Sequence, residues 1–63
     1  MTEKELSYVE DAIGHEQNII KICTETVNYL QDAALKSFVQ KEIEKHTENK
    51  NSLMHVLEVK ANG

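Results

Sequence analysis

The sequence predicts an all-α fold: an antiparallel two-helix hairpin that dimerises into a four-helix bundle. Three observations carry that expectation. Pro is absent and the only glycines are Gly14 and Gly63, so almost nothing interrupts a helix. Apolar residues recur at alternating spacings of three and four in two long stretches, the signature of helices packed along a seam. The two stretches are separated by a short break at Gln31-Asp32. A connection of that length makes consecutive helices antiparallel neighbours.

The first helix is expected over about residues 3–30. Thr2 and Glu5 have the spacing of a capping box, in which each side chain bonds the other's backbone amide. Glu3 and Glu5 also suit the positive end of the helix dipole. Leu6, Val9, Ile13, Glu16, Ile20, Cys23, Val27 and Leu30 form the seam, and Glu16 is its one charged member. The turn is expected at 31–32, where Asp32 is suited to cap the next helix. The second helix is expected over about 33–59, with a seam of Leu35, Val39, Glu42, His46, Asn49, Leu53 and Val56. Phe38, Ile43 and Leu57 widen that stripe, and the end should fray at "VKANG". Residues 1–63 thus read as a single hairpin domain.

Such a hairpin is too small to stand easily alone. A chain of 63 residues has a marginal core, and a single cysteine, Cys23, rules out an internal disulfide. Two helices cannot cover all of each other's apolar surface, so self-association is the expected remedy, most simply as a homodimer. Ile13, Ile19, Ile20, Phe38, Ile43, Leu53 and Leu57 are the expected interface residues, with Ile22 and Met54 on the same flanks.

Folding the chain back on residues 32 and 33 brings Glu16 beside Asn49 and within about one helical turn of His46. The polar members of the two seams then meet at one level, between apolar layers. Three explanations compete. Glu16, His46 and Asn49 can form a structural hydrogen-bond layer that sets register. Glu16 and His46, with Glu42 reaching inward, can be metal ligands for Fe, Mn or Zn across a dimer. Or the register differs and the positions are wet.

The pieces "LSYVEDAIGHE", "DAALKSFV" and "KEIEKHTENKNSL" resemble the short spore-coat proteins of the Coat F type, and the resemblance spans nearly all of the chain. It implies a ferritin-like bundle, an association with the spore coat and its proteins, and a metal site built from a Glu on one helix and Glu-x-x-His on the next. Glu16 and His46 match the first and last of those ligands. Ile43 stands three residues before His46, where the bridging carboxylate belongs. That departure argues against a di-iron centre and its oxygen chemistry.

Other residues narrow the function further. Seven Lys, no Arg and eleven acidic residues leave a net charge of −4, a poor match to a nucleic-acid backbone. No uninterrupted apolar run exceeds three residues, so neither a transmembrane span nor a signal-peptide core is expected. The expected location is cytoplasmic or spore-associated. His15 and His55 lie off the seams and read as surface residues; Cys23 reads as a small seam hydrophobe. Gly14 either admits close approach by a partner hairpin or is simply tolerated. No phosphate loop, Cys-x-x-Cys or His-Glu-x-x-His spacing occurs. The expected function is therefore non-catalytic, structural or interaction-based, with no cofactor. The alternatives are a small metal-binding protein and a helical adaptor with an acidic surface.

Overall fold

The computed structural model describes residues 1–62. Two α-helices, α1 (Glu3–Val27) and α2 (Ala33–Asn62), pack against each other as a hairpin, with no strand among the described residues. The Cα trace measures 46 × 15 × 11 Å, one helix thick.

The start of α1 follows from its first residues. The Glu5 amide donates to Thr2 Oγ1 (3.1 Å) and the Thr2 amide donates to Glu5 Oε1 (2.8 Å), completing the capping box that the spacing predicts. The second bond holds the Glu5 carboxyl below its ordinary value of 4.5, chiefly because the carboxylate accepts the Thr2 backbone N–H.

The other end of α1 comes three residues earlier than expected. Val27, and not Leu30, is its last residue. Beyond it the Asn28 amide bonds Glu25 O (3.3 Å) and the Tyr29 amide bonds Thr26 O (3.0 Å), so the chain tightens to three-residue bonding and leaves the helix. Thr24 and Thr26 hydroxyls donate back to the carbonyls of Ile20 and Ile22, and Asn28 is a weak helix former. Leu30, beyond the end of the helix, remains half-buried.

Asp32 starts α2. Its Oδ1 accepts from the Leu35 amide at 2.9 Å, while its carbonyl accepts from the Lys36 amide. The helix then runs through Asn62 and shows no break over 59–62, where fraying was expected; Gly63, the last residue of that stretch, lies outside the described residues.

The seam of α1 is as the spacing predicts, with Leu6, Val9, Ile13, Glu16, Ile20, Cys23 and Val27 all half-buried. The seam of α2 departs from expectation. Leu35, Asn49 and Val56 are exposed, and the half-buried positions run Val39, Ile43, His46, Lys50, Leu53 and Leu57, with Glu42 and Thr47 flanking them. The cause is helix geometry. A strict three-four alternation averages 3.5 residues per turn, whereas a straight helix has 3.6, a drift of about 20° per heptad. Counted from Val39 at about 100° per residue, Asn49 and Val56 lie about 80° and 100° off the inward direction, while Lys50 lies about 20° from it and Leu57 on it.

Candidate polar contact between the helices

The hairpin brings Glu16 and His46 into direct contact. Glu16 is carried inward by α1, where the neighbouring turns present Ile13 and Ile20. His46 is carried inward by α2, between Ile43 and Lys50. The His46 Nδ1 lies 2.5 Å from Glu16 Oε2, so an Nδ1–H donates to the carboxylate. Glu42, one turn before His46, places its Oε2 3.4 Å from His46 Nε2. The side chains of His46, Glu16 and Glu42 are 18%, 19% and 32% exposed. Each ring nitrogen therefore has a carboxylate beside it, Glu16 in a hydrogen bond and Glu42 at the longer distance.

The contact defines the register. Glu16 opposite His46 puts the fold-back near Gln31, about a residue and a half earlier than expected, as the early end of α1 requires. This corrects the expected layer. Asn49 is exposed and takes no part, because the phase of α2 set by Val39 and His46 turns Lys50 inward instead. The same shift puts Cys23, a half-buried free thiol, at the level of Val39 and away from Glu42. Lys50 is the half-buried charged residue that the three-four pattern missed; counting at 3.6 from Val39 would have found it.

Among the residues expected at an oligomer interface, Ile13, Ile19, Ile20, Ile43, Leu53 and Leu57 are half-buried and Phe38 is exposed. His15 and His55 are exposed. A Cβ added at Gly14 would meet nothing within 4 Å, so no part of the hairpin itself requires a glycine there.

The residues fit a ferritin-like metal centre poorly. Among the described residues no group of three or more His, Cys, Asp and Glu side chains is arranged to hold a metal ion. A metal at His46 would have to displace a carboxylate from one of its nitrogens, and Ile43 occupies the position of the bridging ligand. What the arrangement does offer is a polar tie that holds two helices at one register. No helix among the described residues is long and apolar enough to cross a membrane. Comparison with protein-family models, with characterised proteins and with solved structures finds no match to this chain.

Proposed function

We propose that the chain is a small non-catalytic structural or interaction protein that works as a self-associating hairpin, two copies completing a four-helix bundle of ferritin-like type. The observation that carries this reading is burial. No described residue of the hairpin is buried, hydrophobic or polar, and the seam residues reach only the half-buried class. Helices held by one half-covered seam are marginal, since helical stability in proteins comes mainly from packing an apolar face. A second hairpin supplies the missing layer.

The non-catalytic part of the reading is supported by His46. Both of its ring nitrogens are engaged by carboxylates of its own chain, which suits a register-setting tie better than a group that must be free to exchange protons or ligands. Association with the spore coat is supported by the sequence resemblance, and its test is whether the chain fractionates with the coat layer of spores. The structural reading is tested by sedimentation at several concentrations. A dimer at micromolar concentration is expected; a folded monomer there refutes it.

A further inference from the structure

We propose that the second copy seats on one particular face of the hairpin, the one presenting Tyr8, Ile19 and Ile22 of α1 with Phe38 and Val56 of α2. The proposal rests on the self-association inferred above and names the surface that carries it.

The pattern is simple in sequence terms. Each of these residues immediately precedes a seam residue: Val9, Ile20, Cys23, Val39 and Leu57. In two antiparallel right-handed helices, the residue before the seam position falls on the same side of the pair in both. The structure bears out this placement at one end, where Tyr8 and Val56 line one open groove together with Met1, Glu5, Val9 and Lys60. The residues that follow the seam positions occupy the opposite side, and they are mostly polar: Glu10, Gln17 and Lys21 on α1, Gln40, Glu44 and Glu58 on α2. Met54 is the one large exposed apolar side chain on that side among the described residues. The two faces thus differ sharply. Tyr8 is 61% exposed and Phe38 62%, with Ile22 and Val56 near half.

Area argues for a partner of the size of a hairpin. A compact monomer of 7.2 kDa exposes about 4,100 Å². This chain exposes 4984 Å². The excess, roughly 850 Å², matches the ~800 Å² that each partner gives up in a standard interface.

Symmetry argues that the partner is another copy. The large apolar residues of the face lie towards its two ends, with Glu5 and Ser52 beside them at one end and Thr26 and Glu42 at the other. Its middle is polar, where His15, Lys45 and Asn49 stand beside the Glu16–His46 contact. Tyr8 and Ile22 are equidistant from His15, and Phe38 and Val56 from Thr47; His15 and Thr47 lie at the level of that contact. A two-fold axis at this level lays Tyr8 against the partner's Ile22 and Phe38 against the partner's Val56, the self-complementarity an isologous interface needs.

The test compares Tyr8→Lys and Phe38→Lys with Met54→Lys by sedimentation over a concentration series. The face variants should weaken the dimer at least about tenfold, as for an aromatic buried in an interface, and Met54→Lys should leave it within about twofold. A second measurement leaves the apolar surface intact. In Tyr29→Phe, Tyr8 is the sole tyrosine, and its fluorescence should become protected from acrylamide as the dimer forms. A dimer in which Tyr8 stays fully quenchable, or one dissociated by Met54→Lys and not by Phe38→Lys, overturns the face while leaving self-association standing. A wild-type chain that is monomeric throughout overturns both.

Discussion

Replacing Glu16 and His46 by Leu, singly and together, measures what the interhelical contact contributes and what it costs. The two side chains meet at 2.5 Å and are both more than four-fifths covered. An exposed ion pair is worth about 0–1 kcal/mol, and a covered hydrogen bond to a charged group about 1.5–3 kcal/mol. A half-buried pair belongs between them, so a coupling of about 1–2 kcal/mol is expected from the cycle. Glu16→Leu strips the partner from His46 Nδ1 and leaves only Glu42, at 3.4 Å from the other nitrogen. His46→Leu leaves the Glu16 carboxylate without a donor in the seam. Each single change should therefore lower the melting temperature, by ~4–8 °C per kcal/mol for a domain of this size. The double variant should recover to wild type or above, because Leu at both positions continues the Ile13–Ile20 and Ile43–Leu53 stripes without desolvating a charge. Thermal unfolding followed by far-ultraviolet circular dichroism, at one fixed chain concentration, reads all four proteins. A double variant as unstable as the sum of the singles would refute the contact as a coupled pair.

Three further outcomes are expected. Gly14→Ala should stabilise the helix by about 1 kcal/mol, since the added methyl meets nothing within 4 Å and alanine costs less helix entropy; a loss of stability in chemical denaturation would show that another chain packs against that backbone. Asp32→Ala removes the acceptor of the Leu35 amide and should cost about 1 kcal/mol, read as a lower denaturation midpoint with an unchanged slope; no shift would show that the cap is dispensable. The Glu5 carboxyl is held below its ordinary value in the folded chain, so its contribution is complete above pH 4.5 and fades as pH falls through the folded value. Amide protection in the first turn of α1, taken relative to the intrinsic exchange rate at each pH, should fall on acidification through that window, and Glu5→Gln, which keeps the capping geometry but does not titrate, should flatten the dependence. An unchanged profile in Glu5→Gln would assign the acid response elsewhere.

Much of this architecture was legible in the sequence because it depends on local chemistry. Thr2 with Glu5 and Asp32 with Leu35 satisfy backbone groups only three residues away, so their spacing alone locates the two helix starts. The α1 seam was legible for the same reason, each position following from the one before it. The meeting of Glu16 with His46 was foreseen only to within a turn. The sequence left the third member open between Asn49 and Glu42; Glu42 stands there, and Asn49 is exposed.

What the tertiary structure alone decided was phase and register. The end of α1 at Val27 depends on a competition among weak bonds from Thr24, Thr26, Asn28 and Tyr29 that no single spacing signals. It moves the fold-back towards Gln31 and so chooses which side chains share a level. The inward face of α2 depends on its phase relative to Val39: at 3.6 residues per turn Lys50 and Leu57 fall within about 20° of that direction, and Asn49 and Val56 about 80–100° away. Caps and stripes are set residue by residue; register accumulates over the length of the chain, and only the packed hairpin sums it.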